Sequence, residues 1–418
     1  MTTRRFFIIE QDPDGFPPPP AVESVPGRGR VPVALRPMGG RGRPARPTAE
    51  QPTRVKVATA ELSDKEASAE RRREGVRMIG RAMPVRLIAY GDREPVPAAM
   101  GASWGIAATG ADRSPRTGNG VTVAVLDTGI NKKHPAFAGM ELVCRDFTVD
   151  GEVKTAVDRH GHGTHCAGTI FGREIDGTRI GVAPGIERAL IGKVLPDDGG
   201  GDSGMLFDAL TWASREGANI VSMSLGFDFP GLVATLTQDG MAPEVAASNA
   251  LVVFGQNLRA FDTLMANFRV SEFIGRNMLV VSAAGNESRR DQAADFRIST
   301  SLPAATLGVV SVAAYGQNGG GFRIAPFSNI DALIAGPGVD IVSADLKKGL
   351  ARMSGTSQAC PHVAGLAALW WEAIAAGGET PTPDRVREKL FSAAVTDGLP
   401  ADCDETERGR GRALAPLG

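Results

Sequence analysis

The sequence predicts an α/β protein with a doubly wound, mostly parallel sheet flanked by helices, and two observations lead there. Five runs, "VTVAVLD" from 121, "ALIGKVL" from 189, "ANIVSMSLG" from 218, "NMLVVSAAGN" from 277 and "GVVSVAA" from 308, are continuously apolar rather than alternating. Strands buried on both faces read this way, and parallel sheets supply such strands. Segments of helical periodicity such as "SGMLFDALTWASREG" from 203 separate the runs. Alternation of this kind places reactive groups at the carboxyl ends of the strands.

Composition narrows the function. With 418 residues, 42% of them hydrophobic, the chain can bury a large core. Its 46 basic and 47 acidic residues leave no global field, so neither nucleic acid nor a membrane surface is an expected partner. Cys144, Cys166, Cys360 and Cys403 are scattered without a CxxC pair, which disfavours a zinc ribbon or a disulfide scaffold; reduced thiols are expected. The apolar run after Arg4 and Arg5 is only "FFII", shorter than the roughly 7–15 residues of a secretory signal. There is also no apolar stretch of the ~18 residues a membrane span needs. A cytoplasmic location is the expectation.

Along the chain, 1–52 is rich in Pro, Arg and Gly and reads as a disordered arm. Residues 53–97 read as strand, helix and strand followed by a linker, "GDREPVPAAMGAS", with Ser63 and Glu66 forming a capping box. The main body spans 98–400, and 401–418 reads as a flexible tail. Within the body, 227–276 is a long, mostly helical stretch. Phe254, Leu258, Phe261, Leu264 and Phe268 form one apolar stripe there, suited either to packing on the body or to docking a partner or gating substrate.

The densest chemistry lies in "RHGHGTHCAGT", residues 159–169. His160, His162, His165 and Cys166 are all acceptable zinc ligands, but the intervening Gly161, Gly163 and Thr164 differ from the helix formers that separate paired ligands four apart. The stretch reads as a turn feeding a helix near His162 or Thr164. A metal site, a solvated turn and a histidine base all remain open on these residues alone. Asp127 ends "VTVAVLD", and Ser357 opens a helical pattern in "MSGTSQACPHVAG", with Pro361 assigned to that helix's first turn. Asp, His and Ser in this order match one chain order of nucleophilic triads. A serine hydroxyl needs a base to remove its proton, and the imidazole needs a carboxylate to hold its other nitrogen.

These stretches together resemble the subtilisin-like serine proteases. "VAVLDTGI", "HGHGTHCAGT" and "GTSQACPHVAG" match that family's three active-site signatures, and "SMSLG" and "SAAGNE" match two substrate-site segments, over roughly 100–395. The resemblance implies a subtilisin-like sheet with a small prosegment-like region before it, and a serine endopeptidase acting on protein or peptide substrates. It implies Asp127 as orienting carboxylate, His162 as base and Ser357 as nucleophile, with His160 and His165 as bystanders and Cys166 as a small buried neighbour. Asn286 is implied as oxyanion donor beside the Ser357 amide. Gly199, Gly200 and Gly201, and Ser224, Leu225 and Gly226, are implied as edges pairing with substrate, and Ala283, Ala284 and Gly285 as further substrate-site residues.

The departures carry expectations of their own. Gln358 stands where the family commonly has methionine. Ala136 and Ile175 stand at the likeliest positions of the family's calcium ligands, so neither calcium nor any other metal or cofactor is expected. Asp197, Asp198 and Asp202 read as solvated loop carboxylates. Glu287, Asp291 and Asp295 read as lying near the S1 rim, hinting at tolerance for basic groups. Two competing readings keep the same motifs: an acyl-enzyme resolved by an amine, giving a peptide-maturing transpeptidase or macrocyclase, and a catalytically silent binding scaffold. Finally, Leu87 and Tyr90 of "LIAY" sit at the P4 and P1 offsets from one possible cut, and the stretch resembles the inhibitory extension of intracellular subtilisins. Self-cleavage near Tyr90 is the expectation there, against the alternative of a strand simply added to the body.

Overall fold

The structure, a computed structural model, describes residues 3–11, 55–88, 90–96, 102–149, 151–270 and 278–418. The chain opens with a three-stranded antiparallel sheet in which β1 (Arg4–Gln11) lies between β2 (Val55–Leu62) and β3 (Val76–Arg81). Helix α1 (Asp64–Glu70) joins β2 to β3, and its N-terminus carries the Ser63–Glu66 capping box. Strand β1 corrects the reading of 1–52 as one disordered arm. "RRFFIIEQ" is short, but as a central strand it uses both faces: Phe6 and Ile8 pack with Ala67 and Ile79, while Phe7 and Ile9 join the core of the body. The rest of the arm lies outside the described residues. Next come β4 (Pro84–Leu87) and β5 (Tyr90–Val96), the latter occupying what reads as linker in the sequence.

The body continues with α2 (Trp104–Thr109), β6 (Val123–Asp127), β7 (Glu141–Asp146), α3 (His162–Phe171), β8 (Arg188–Lys193), β9 (Gly200–Asp202) and α4 (Ser203–Arg215). There follow β10 (Ile220–Met223), β11 (Leu225–Phe227), α5 (Phe229–Gln238), α6 (Pro243–Val270), β12 (Leu279–Ala283), β13 (Val309–Asn318), β14 (Gly321–Ile324) and β15 (Ile334–Pro337). The chain ends with β16 (Ile341–Ala344), β17 (Leu350–Ser354), α7 (Thr356–Ala376), α8 (Pro383–Ser392) and α9 (Glu405–Arg408). The main sheet has the order β14-β13-β12-β10-β6-β8-β7, with β15 also on β13. Every pairing in it is parallel except β13 with β14.

Two layers of core explain the continuously apolar runs. In β6, Val123 and Val125 pack on the side of α3 and α7, and Ala124 and Leu126 on the side of α4 and α6. Both faces exclude water, so no polar alternation survives. Helix α6 accounts for much of the long 227–276 stretch: Phe261, Leu264 and Phe268 are buried, with Phe254 and Leu258 half-buried against the same core. The same cluster contains Phe7, Ile9 and Val57, and Asn257 Nδ2 donates to Arg81 O at 2.9 Å, so α6 also supports the N-terminal sheet.

The chain's end is packed, which corrects the flexible tail read for 401–418. Ala413 and Ala415 are buried, Ala413 N donates to Ala335 O at 2.9 Å, and Trp370 Nε1 donates to Leu414 O at 2.9 Å. The Arg412 guanidinium lies 4.3 Å from the Phe322 ring centroid. A glycine-rich, basic composition reads as mobile because these contacts come from elements far away in sequence.

Two buried histidines, His165 and His362, are held where a proton is costly. His165 Nε2 bonds Ile341 O at 3.0 Å and Ala351 O at 3.2 Å, tying α3 to the β16–β17 hairpin; burial, then repulsion from His162, holds its pKa down to about 3. His362 bonds Gln358 O at 2.8 Å through Nδ1, and burial holds its pKa down to about 4. In the unfolded chain a histidine titrates near pH ~6.5. Below that pH the unfolded state binds protons that the folded state refuses, so the stability these rings contribute is full above pH ~6.5 and falls as the pH drops toward the folded values. Thermal melts of the Ser357→Ala chain are therefore expected to show stability falling between pH 6.5 and 5, with a slope approaching ~2.7 kcal/mol per pH unit for two protons. A flat profile across that window would show that the rings are not held neutral.

Candidate active site

Asp127 ends the central strand β6, buried, with its Oδ1 accepting the Thr128 amide at 2.7 Å. His162 is the first residue of α3. The helix start comes very close to the turn after Asp127: a Cβ on Gly163 would lie 2.2 Å from Gly129 O, so only glycine fits. The result is a His162 Nδ1 placed 2.8 Å and 3.0 Å from the two Asp127 carboxylate oxygens.

A carboxylate absent from the sequence reading holds this pair in register. Asp158 Oδ1 accepts from Thr128 Oγ1 at 3.0 Å, His160 N at 3.0 Å and Gly161 N at 2.8 Å. Its Oδ2 accepts from Thr164 N at 2.9 Å and Thr164 Oγ1 at 2.6 Å. Burial pushes its carboxyl up, but the Thr164 hydroxyl, the Gly161 and Thr164 amides and the Thr128 hydroxyl outweigh that, and the net direction is down. The signal available in sequence was an aspartate one residue before "RHGHGTH".

Ser357 lies in the first turn of α7, where helical geometry leaves backbone amides without intrahelical partners. Pro361 lies not in that first turn, where the sequence pattern places it, but one turn further inside the helix. It removes the amide that would otherwise bond Ser357 O. Ser224 Oγ donates to that carbonyl instead at 3.0 Å, and the Cys166 thiol at 3.4 Å. Asn286, just past the end of β12, is oriented by Thr356: its Oδ1 accepts from Thr356 N at 2.8 Å and Thr356 Oγ1 at 2.9 Å, which leaves Nδ2 pointing into the cleft. Gly355, at φ 151°, would bring a Cβ to 3.0 Å from that nitrogen. Ala283, Ala284 and Gly285 lead up to Asn286, and the Gly285 amide donates to Thr356 Oγ1 at 3.2 Å.

The chain itself occupies the cleft. β4 pairs antiparallel with β11 on one side, Leu87 opposite Leu225, Arg86 opposite Gly226 and Val85 opposite Phe227. On the other side it pairs with β9, Arg86 opposite Gly200 and Val85 opposite Gly201, and Leu87 N donates to Gly199 O at 3.0 Å. The carbonyl of Ile88 then meets Asn286 Nδ2 at 3.3 Å and accepts a short hydrogen bond from Ser357 Oγ. That hydroxyl also reaches Ser224 O at 3.3 Å, and in this arrangement it makes no hydrogen bond to His162. Beyond the undescribed residue 89, β5 pairs antiparallel with β17. The register differs from the sequence expectation: Ile88, not Tyr90, presents its carbonyl to Ser357, and Val85, not Leu87, lies three residues before it. Side-chain preference alone points to the offset in "LIAY" that ends at Tyr90, whereas backbone pairing with β9 and β11 sets the register.

The remaining site residues fall into place around this cleft. His160 is half-buried beside His162, with ring centroids 6.3 Å apart, and His165 serves the hairpin. Among the described residues, Asp127, His162 and Cys166 are the group whose ligand atoms lie within 4.8 Å of one another. Its chemistry fits a metal poorly, because the Asp127 carboxylate already holds His162 Nδ1 and burial above all raises the Cys166 thiol well above the usual range. At the expected calcium positions, Ala136 O accepts Arg173 N at 2.8 Å and Ile175 O accepts Thr178 N at 2.8 Å. The Arg179 guanidinium takes the Ala111, Gly181 and Val182 carbonyls at 3.1–3.3 Å. Gln358 is buried, its amide reaching Met353 Sδ at 3.7 Å. In the acidic loop Asp197 and Asp198 are exposed, Asp197 pairing with Lys193 and Arg159 and Asp198 accepting the Gly200 amide, whereas Asp202 is half-buried, caps α4 and pairs with Arg5. Glu287 faces Arg86, while Asp291 and Asp295 are exposed.

A buried carboxylate at a strand end, an imidazole at one helix start and a serine at another thus line a cleft that an extended strand of the chain fills. Comparison with known proteins places it within one family: residues 118–413 match the model of the subtilase family, and the chain belongs to that family as a subtilisin-like serine endopeptidase. It is 31% identical over 296 residues to an intracellular serine protease of Paenibacillus polymyxa, covering 70% of this chain and 78% of that one. It is 30% identical over 299 residues to the major intracellular serine protease of Bacillus subtilis (strain 168), covering 70% and 81%. Among solved structures, sphericase superposes with a TM-score of 0.57 at 28% identity, covering 77% of this chain and all of the other.

The orientation of Asn286 generates a prediction. Thr356→Val keeps the backbone donor to Asn286 but removes the hydroxyl that fixes the amide. The turnover number is expected to fall about tenfold, ~1.4 kcal/mol of transition-state stabilisation, with KM within twofold. Steady-state kinetics on a chromogenic peptide measure it, and an unchanged turnover number would remove Thr356 from the positioning role.

Proposed function

We propose that the chain hydrolyses peptide bonds through an acyl-enzyme, with Ser357 as nucleophile, His162 as base and Asp127 as the carboxylate that holds the imidazole. The Ile88 carbonyl, set between Ser357 Oγ and Asn286 Nδ2 beside the bonded Asp127–His162 pair, carries this reading. In the reaction Ser357 Oγ attacks the carbonyl carbon and its proton passes to His162 Nε2. Asn286 Nδ2 and the Ser357 amide receive the negative oxygen. The carbon–nitrogen bond breaks as His162 protonates the leaving amine, and water then releases the acyl group by the same route. A fluorophosphonate probe is expected to label Ser357. His162→Ala should abolish turnover, and His160→Ala should retain most of it.

The segment through the cleft is itself a substrate in this reading, and the bond in position is the one after Ile88. Purified active chain is expected to yield a fragment ending at Ile88 by intact mass, while Ser357→Ala keeps the chain whole. An active enzyme with the 88–89 bond intact would mean that the segment only blocks the groove.

The reading involves no metal: the ordinary calcium positions offer Ala136 and Ile175, and the neighbouring carbonyls already have donors, including the Arg179 cation. Chelator treatment is expected to leave peptide hydrolysis and the melting temperature unchanged. Loss restored by calcium or zinc would overturn this. Two relatives carry "intracellular" in their names and, among the described residues, no helix is long and apolar enough to cross a membrane; the proposed site of action is the cytoplasm.

A further inference from the structure

The strand that fills the cleft brings one charged side chain, Arg86, and the cleft meets it with two carboxylates. Arg86 Nη2 lies 3.0 Å from Glu287 Oε1, and Arg86 Nη1 lies 3.5 Å from Asp228 Oδ1. Counted back from Ile88, Arg86 is the third residue before the bond in position, the P3 residue.

An exposed ion pair contributes little when both side chains must be ordered to make it. Here the two acceptors are already ordered by the body. Glu287 follows Asn286 directly; its Oε2 accepts Asn329 Nδ2 at 2.8 Å, and its amide donates to Asn329 Oδ1 at 3.0 Å. Asp228 caps α5, its Oδ1 accepting the Gly231 amide at 3.0 Å. Only the incoming side chain loses freedom on binding. Two fixed carboxylates on different elements also suit a planar guanidinium with several donors better than a single ammonium. The flanking positions are different in kind, since Val85 and Ile88 are buried and Leu87 is half-buried, all three aliphatic.

We infer that Glu287 and Asp228 form a specificity determinant that selects arginine at P3, so that preferred substrates carry one arginine among aliphatic residues at P4, P2 and P1. The inference rests on Ser357 being the nucleophile, which sets the numbering.

The test has two arms on the full chain. In the first, coumarylamide peptides ending Val-Arg-Leu-Ile, Val-Lys-Leu-Ile, Val-Ala-Leu-Ile and Val-Glu-Leu-Ile are compared by kcat/KM, whose ratio does not depend on how many molecules have an open cleft. Arginine is expected to exceed alanine about tenfold, lysine to fall between them and glutamate to lie below alanine. Added salt should narrow the contrast, because the pair is partly exposed. The Glu287→Gln, Asp228→Asn double variant should bring arginine and alanine within twofold. In the second arm, Ser357 labelling by the fluorophosphonate is timed in chains whose own segment covers the site. Arg86→Ala and Glu287→Gln should each accelerate labelling several-fold, and combining them should add little to either alone. An arginine-to-alanine ratio within twofold in the unaltered enzyme, or labelling effects that multiply in the combined variant, would overturn the inference and leave the nucleophile assignment standing. Failure of Ser357 to label in any chain would instead overturn that assignment.

Discussion

One buried carboxylate governs the geometry of the cleft. Asp158 accepts hydrogen bonds from the turn after Asp127 and from the first turn of α3, and so joins the two elements that carry the acid and the imidazole. Left alone, a helix start and a strand end would each have local freedom larger than the tolerance of a 2.8 Å bond. A charged acceptor in a water-free place costs much to leave unpaired, so each of its partners is held where it can donate. Gly163 and Gly129 allow the approach, and Asp158 makes it the favoured one.

The N-terminal part of the chain depends on the same cleft. It is bound by apolar contact of Phe7 and Ile9 with the α4 and α6 side of the body, by strand pairing on both sides of residue 89, and by the carbonyl contact at Ser357. These are three kinds of interaction with different reach. The apolar contact is insensitive to sequence detail, the pairing fixes register, and the carbonyl contact fixes a single atom. Helix α6 belongs to the first kind, and its length extends the face available to the small sheet.

Legibility in the sequence followed how local each cause was. The five central strands were readable because burial on both faces leaves an uninterrupted apolar run, and Asp127, His162, Ser357 and Asn286 stood in motifs short enough to be seen whole. Strand β1 was not readable, since four apolar residues beside a proline-rich arm gain their meaning only from β2 and β3, more than forty residues later. The packed end at Ala413 and Ala415 is unreadable for the same reason. Asp158 and Thr356 were visible as letters, but their importance lies in which amides they meet, which no spacing rule states. The cleft register differs by two residues from the one side-chain size predicts, because main-chain pairing decides it.

Pro361 has a consequence for motion. Helix ends ordinarily fray, opening and closing their last hydrogen bonds far faster than a chemical step, and a nucleophile on a first turn would share that restlessness. By withholding its amide, Pro361 frees the Ser357 carbonyl from the helix, and Ser224 and Cys166 take it up from two other elements. The turn is thus laced sideways to β10–β11 and to α3 instead of lengthwise to its own helix. Fraying would then have to break the contacts to both of those elements as well as the helix's own, so the nucleophile's turn is held from the side.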